Sequence, residues 1–137
     1  MCKVVYVLTA GAVLMGLVAG CGNSDGETEA DRIGVGAECT ESGECESADE
    51  EVELVCLTQF TGGYCGLEGC TVDDECPEGS ACVAHDDGKN YCFRLCQNRD
   101  ECNRNRSEGN EANCSSNIVF VEDVGERKAC VPPSSGD

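Results

Sequence analysis

The stretch "CTVDDECPEGSACVAHDDGKNYC", residues 70–92, places four cysteines close together in the chain. Their spacing, C-x5-C-x5-C-x9-C, is typical of a small exported unit that is held together by two disulfides. Apolar side chains are few here, and Tyr91 is the largest of them. We therefore predict that residues 70–92 form one module stabilised by cross-links.

The second half of this stretch predicts a β-hairpin. Asp87-Gly88 lies between two short runs of strand-forming residues and is a strong signal for a two-residue turn. Successive side chains of a strand point to opposite faces, so such a turn would place Cys82 and Cys92 on opposite faces of the hairpin. The predicted cross-strand pairs are Asp86 with Lys89, Ala84 with Tyr91, Val83 with Cys92, and Cys82 with Phe93.

Four cysteines allow three disulfide pairings. The predicted register disfavours a bond between Cys82 and Cys92. We prefer first-to-third and second-to-fourth pairing, which gives Cys70–Cys82 and Cys76–Cys92. First-to-fourth with second-to-third pairing stays open, because the spacing alone does not separate the two.

The C-x5-C segment recurs along the chain as an internal repeat. "CTESGEC" (39–45) and "CQNRDEC" (96–102) share it with residues 70–76, and all three end in Glu-Cys. Two further cysteines follow each segment, which defines three modules over 39–65, 70–92 and 96–130, with linkers 66–69 and 93–95. Hairpins are also expected in the outer modules, bending at Gly62-Gly63 and near Gly125. The twelve predicted disulfide cysteines are Cys39, Cys45, Cys56, Cys65, Cys70, Cys76, Cys82, Cys92, Cys96, Cys102, Cys114 and Cys130.

The composition agrees with a small disulfide-rich fold with short β-hairpins, little helix and no large hydrophobic core. The 137 residues include 14 Cys and 17 Gly. The chain has three Phe and three Tyr, and it has no Trp. Few large side chains are available for burial, so disulfides must supply much of the stability. The formal net charge of −18 argues against nucleic-acid binding, which requires a basic surface.

The first twenty residues have the layout of an export signal. One Lys precedes an apolar run over 4–19, which as a helix would span about 24 Å, less than the roughly 30 Å of a bilayer core. The run ends in Val18-Ala19-Gly20-Cys21, which resembles the lipobox of bacterial lipoproteins. This resemblance implies that residues 1–20 are removed, that Cys21 carries lipid, and that the membrane is a partner through that lipid. With Gly22 rather than Asp in the next position, the resemblance favours the outer membrane of the cell envelope.

The cysteine count agrees with that interpretation. Cys2 would leave with the signal, and lipid on Cys21 would leave twelve cysteines, an even number for six disulfides. Residues 21–38 then form a lipidated, flexible acidic tether. Residues 131–137, "VPPSSGD", are expected to be a frayed tail.

Residues 70–96 match the pattern C-x2-D-x-[DE]-C-P-x-G-x2-C followed by C-x3-C, and they resemble the cysteine-rich N-terminal region of Dickkopf proteins. Asp73, Glu75, Pro77 and Gly79 carry the resemblance, and similar repeats occur in bacterial surface lipoproteins. The outer modules share only C-x5-C and the later cysteines, and the adjacent Cys-Cys of Dickkopf is absent. The resemblance implies a small, irregular hairpin module that serves binding or display, without Wnt-pathway activity.

Side chains that could carry chemistry are few. His85 is the only histidine and adjoins Asp86 and Asp87, but no nucleophile motif accompanies it. The acidic groups at 73–75 and 86–87 lack a calcium-loop pattern, and the run 46–53 is typical of a solvated insertion. C-x5-C lacks the tight spacing of zinc sites. No cofactor, metal or catalytic residue is therefore predicted.

These features together predict a lipid-anchored, non-enzymatic binding or surface-display protein, whose partner is an unidentified protein or glycan. The alternative is a disulfide-rich protease inhibitor, because small cross-linked scaffolds often present a rigid loop. A third class is a hydrolase accessory or an enzyme that works through His85.

Overall fold

Each C-x5-C segment folds into a short helical turn that ends at or beside its second cysteine. The computed structural model describes residues 28–45 and 52–134. The turns are 3-10 helices at Ser42–Cys45 and Asp73–Glu75 and the α-helix α2 at Arg99–Cys102. The other elements are α1 (Glu29–Ile33), a 3-10 helix at Glu108–Asn110, β1 (Val55–Cys56), β2 (Cys65–Gly66), β3 (Ser80–Ala84), β4 (Asn90–Arg94), β5 (Asn113–Ser115), β6 (Val119–Phe120) and β7 (Ala129–Val131).

Six disulfides join these turns to the strands. In every module the first cysteine bonds the third and the second bonds the fourth, as preferred for residues 70–92. The bonds are Cys39–Cys56, Cys45–Cys65, Cys70–Cys82, Cys76–Cys92, Cys96–Cys114 and Cys102–Cys130. The third and fourth cysteines of each module are also direct cross-strand partners. The protein is thus a small disulfide-rich fold with short strands and short helices.

The register predicted for the β3–β4 hairpin was wrong by one residue. Cys82 lies opposite Cys92, not Phe93, and the loop has three residues, 86–88. The Gly88 N–H bonds the His85 carbonyl at 3.0 Å, and Gly88 alone in this loop has positive φ, at 82°. A two-residue type I′ turn needs positive φ at both central positions, whereas a three-residue loop needs it only at glycine.

The corrected register changes the reason for the disulfide pairing. Cys82 and Cys92 are direct cross-strand partners and share one face of the hairpin. The predicted separation on opposite faces is therefore not the reason that they are not bonded to each other. Instead, both side chains point toward the preceding turn and pack in one buried cluster with Cys70 and Cys76. Each sulfur is bonded to a cysteine of that turn.

The hairpin predicted around Gly125 was also wrong. The chain does turn there, with Gly125 at φ 68°, but the two flanking strands do not pair with each other. β7 pairs with β5, and β6 joins the middle module, giving a three-stranded sheet in the order β4-β3-β6. The long segment between Cys114 and Cys130 therefore crosses into another module.

The predicted flexible tether is folded from residue 28 onward. Thr28 caps α1, accepting from the Asp31 N–H, and Asp31 accepts from the Thr28 N–H. Ala30 is fully buried and its N–H bonds the Glu78 carbonyl at 2.7 Å. Asp31 also forms an ion pair with Arg94. A capped helix that buries an apolar side chain and a charge pair is part of the fold; Cys21 and the rest of 21–27 lie outside the described residues.

The predicted frayed tail is likewise wrong for residues 131–134. Pro132 is fully buried, and the Thr61 N–H bonds the Pro133 carbonyl at 2.8 Å. Phe60 forms a β-bridge with Ser134. Residues 132–134 therefore pack on the first module, because the chain beyond Cys130 leaves strand β7 toward it.

The three modules share one small core. Its centre is a group of buried aromatic rings in edge-on or stacked contact, namely Phe60, Tyr64, Tyr91 and Phe93. These come from the first two modules and the linker after the second, and Ala129 of the third packs in the same cluster. Tyr64 and Tyr91, each directly before the last cysteine of its module, are therefore core residues.

Candidate functional site

The twelve predicted disulfide cysteines all lie in disulfides. Among the residues that the structure describes, each module has one group of three sulfurs that lie within 4.8 Å of one another. Each group combines sulfurs from the two crossed disulfides of its module. Metal ligation by cysteine requires thiolate, so in this oxidised form these sulfurs act as structural cross-links.

The glutamate of each Glu-Cys pair locks its turn. Glu44 accepts from the Thr40 N–H at 2.6 Å, and Glu75 accepts from the Thr71 N–H at 2.6 Å. Glu101 accepts from the Gln97 N–H at 2.8 Å. These backbone hydrogen bonds hold the pKa values of Glu44 and Glu75 below the usual range. The repeated glutamate is therefore part of the scaffold of the turn.

Asp73, a candidate cation ligand, is also used within the scaffold. One of its carboxylate oxygens accepts from the Cys82 N–H at 2.9 Å, and the other lies 2.6 Å from Arg127 Nη1. Arg127 also donates to the Glu122 carbonyl, and its guanidinium lies 4.4 Å from the centre of the Phe120 ring. Asp73 thereby fastens the loop after β6 to the middle module.

Arg106 joins the third module to the first. Its guanidinium donates to the backbone carbonyls of Asn110 at 2.6 Å, Gly36 at 3.1 Å, Gly63 at 2.9 Å and Thr61 at 2.7 Å. The planar fork of arginine suits such convergent acceptors. Arg106, one of nine Lys and Arg side chains, therefore makes internal contacts.

Arg94 makes a similar junction in the middle of the molecule. It donates from Nη1 to the Glu101 carbonyl at 2.8 Å and pairs with Asp31. Its backbone N–H donates to the Tyr64 hydroxyl at 3.0 Å, and burial raises the pKa of Tyr64 to about 12. Tyr64 is therefore a neutral hydrogen-bonding core residue at physiological pH.

His85 lies at the rim of the aromatic group. Its Nδ1 is 3.3 Å from an Asp87 carboxylate oxygen, and its ring is edge-on to Phe60 at 5.3 Å. Asp87 also accepts from the Tyr91 hydroxyl at 2.7 Å, and that hydroxyl accepts from Gln59. Burial opposes ionisation of Asp87, but the bonds from Tyr91 and Lys89 hold its pKa below the usual range. This arrangement pins the hairpin loop and gathers His85, Asp87 and the Tyr91 hydroxyl into one cluster.

Two clefts border strand β6. The first, of about 470 Å³, lies between the β3–β4 hairpin and residues 131–134, with His85, Asp86 and Pro132 in its wall. The second, of about 890 Å³, lies beneath the loop after β6, with Leu95, Asp123 and Glu126 in its wall. Ser116, Ile118 and Val119 line both clefts. The segment that leads into β6 is therefore a ridge between two concave surfaces, which makes it the candidate binding region.

The remaining predicted groups contribute less to this region. Asp74 is exposed on the middle turn, and of the acidic run 46–53 only Val52 and Glu53 belong to the described residues. Cys21, the predicted lipidation site, is outside the described residues. Within the described part of the chain no helix is long and apolar enough to cross a membrane.

Sequence reasoning missed Arg94, Arg106, Arg127 and the pairing of β6 with β3. A usable signal was the rarity of basic residues, nine against 27 acidic ones, since isolated cations among many carboxylates are suited to internal pairing. β6 itself has a clear β pattern in "NIVFV", but the pattern does not reveal its partner strand. No protein-family model, curated protein or solved structure matches this chain.

Proposed function

We propose that this protein is a lipid-anchored component of the bacterial cell envelope, at the outer membrane, that acts as a non-enzymatic binding or display module. The observation that carries the proposal is the joining of three disulfide modules into one unit around a shared core. Such bracing holds exposed loops and clefts in fixed positions, which reduces the ordering cost of binding. The lipobox-like sequence before Cys21 supports the anchor.

The folded segment from Thr28 onward refines this proposal. Between Cys21 and Thr28 an extended chain reaches at most about 25 Å. The folded unit would therefore be held close to the bilayer surface. A partner on the same membrane, or one that approaches that surface, would be within reach.

Lipidation is tested by labelling cells with an alkyne fatty acid and by detergent-phase partition of the mature protein. We expect label and partition to be lost in Cys21→Ser and retained in Cys2→Ser, the control in the segment that would be removed. The lipobox resemblance implies diacylglycerol on the Cys21 sulfur and a further acyl chain on its amino group. Two or more chains anchor a protein stably, so partition of the wild type should be nearly complete. Label that persists in Cys21→Ser would refute the anchor.

Protease inhibition, the alternative function, has one specific support. Arg104 is exposed in a turn that follows Cys102 and precedes the anchored Arg106, so a basic side chain is displayed at a braced position. Stoichiometric inhibition of a trypsin-like protease that disappears in Arg104→Ala would establish this function. Cleavage of a control substrate at an unchanged rate would exclude it for that protease class.

A further inference from the structure

Strand β6 leaves its outer edge unpaired among the described residues. It is the outermost strand of the β4-β3-β6 sheet. The Val121 N–H bonds the Cys82 carbonyl at 2.9 Å, so by the alternation of antiparallel ladders the N–H and C=O of Phe120 point away from β3. An extended chain could bond to these groups, because edge strands are templates for pairing.

The opposite edge of the same sheet is covered. The Cys92 N–H bonds the Leu67 carbonyl, and the Gly69 N–H bonds the Asn90 carbonyl. Glu68 forms a β-bridge with Tyr91 between these two bonds. The linker 66–69 therefore protects β4, whereas in the described part of the chain no strand or bridge pairs with the outer edge of β6. Just beyond β6, the Glu122 carbonyl accepts from Arg127 and from the Val124 N–H.

Exposed apolar side chains lie on β6 and in the loop that follows it. Val119 of β6 is 66% exposed, and Val124 in that loop is 62% exposed. Val121, on the same face of the strand as Val119, is 37% exposed. With a cleft on each side of the ridge, this edge presents both backbone groups and side-chain pockets, the combination used when a peptide adds a strand to a sheet.

Charge selects the chemistry of the occupant. Asp86 stands in the wall of the first cleft, and Asp123 and Glu126 stand in the wall of the second. The second cleft is also lined by the cations Arg127 and Lys128; Arg127 is paired with Asp73, which leaves two carboxylates against one lysine in that wall. The net charge of −18 disfavours a second copy of this chain, because like-charged surfaces repel, and it favours a cationic partner.

We propose that the edge of β6 binds an extended segment of a partner protein that alternates apolar and basic residues. The segment adds a fourth strand beside β6, with apolar side chains against Val119 and basic side chains directed to Asp123 and Glu126. This proposal rests on the function of the protein as a binding module and names its partner class. It does not depend on the lipid anchor.

The test measures binding of a fluorescent peptide of alternating lysine and valine to the disulfide-intact mature protein in detergent. A peptide of the same composition with alternate amide nitrogens methylated cannot complete the strand pairing, and a glutamate-valine peptide carries the wrong charge. We expect both to bind at least about tenfold more weakly, since main-chain bonds and charge provide the affinity. Equal binding of the methylated peptide would overturn the proposal in favour of nonspecific attraction, and the absence of any binding would also overturn it.

Variants locate the site. Val119→Lys places at the edge a positive charge that repels the lysines of the peptide, and it should weaken binding of the lysine-valine peptide about tenfold or more. Val55→Lys, which alters an exposed valine of a different sheet, is the matched control and should bind like wild type. Equal loss in both variants, or dimerisation of the wild type that Val119→Lys abolishes, would contradict a cationic partner at this edge. Lipid labelling of Cys21 is read separately, so failure of the anchor and failure of the binding site are distinguishable.

Discussion

Replacing Arg106 with methionine removes the guanidinium that joins the first and third modules while it keeps most of the apolar stem. The four hydrogen bonds of this group measure 2.6–3.1 Å between nitrogen and carbonyl oxygen. A typical bond contributes about 1 kcal/mol net, which gives about 4 kcal/mol for four. Arg106 is only half-buried, so water can replace part of the loss, and we expect the free energy of unfolding to fall by about 2–3 kcal/mol.

The measurement is unfolding of the disulfide-bonded protein by guanidinium chloride, monitored by far-ultraviolet circular dichroism. Arg104→Met is the matched control, because Arg104 is exposed two residues away and should change stability by less than about 0.5 kcal/mol. Arg106→Lys keeps the charge but not the planar fork and should recover only a minor part of the loss. Equal stabilities of Arg106→Met and Arg104→Met would refute the bridging role.

Two further predictions concern the turns. The pKa values of Glu44 and Glu75 are lowered, so their stabilising contribution is present above the unfolded pKa near 4.3 and is lost as pH falls through the lower folded pKa. Urea unfolding should therefore show the free energy of unfolding falling below about pH 4, and falling less steeply in the Glu44→Gln/Glu75→Gln double variant. The same dependence of stability on pH in the double variant and the wild type would contradict this prediction. Gly63 has φ 68°, and a Cβ there would lie 2.0 Å from the Cys39 carbonyl oxygen, so Gly63→Ala should lower the free energy of unfolding by more than about 1 kcal/mol. Gly109→Ala, where a Cβ meets nothing within 4 Å, should leave thermal unfolding nearly unchanged, and equal melting of the two variants would exclude the steric explanation.

The disulfide-rich class and the three modules could be predicted because cysteine spacing is a local property of the chain. The turn at Asp87-Gly88 was also visible locally, but its length depended on which residue adopts positive φ. Gly88 does so at no steric cost, whereas Asp87 would have to adopt it as well in the shorter loop. A one-residue difference in loop length then shifted every cross-strand pair.

The contacts that join the modules could not be predicted from spacing. β6 pairs with β3, far away along the chain, and Arg106 reaches carbonyls in two earlier segments. Thr28–Ile33 looked like part of a polar tether, yet the Thr28–Asp31 capping box nucleates a helix that Arg94 then holds by charge. Such interactions depend on which surfaces meet after each module closes, and no single segment encodes them.

The three modules share their sulfur framework but differ in what they carry between the third and fourth cysteines. That interval contains eight residues after Cys56, nine after Cys82 and fifteen after Cys114. The disulfides tie both ends of each interval to its turn, so insertions inside it leave the cross-links unchanged. The longest interval is the one that contributes β6 and much of the wall of both clefts. Lengthening this interval adds exposed surface and leaves the disulfides of the scaffold unchanged. For this reason we assign the partner-binding edge to the loop of the third module.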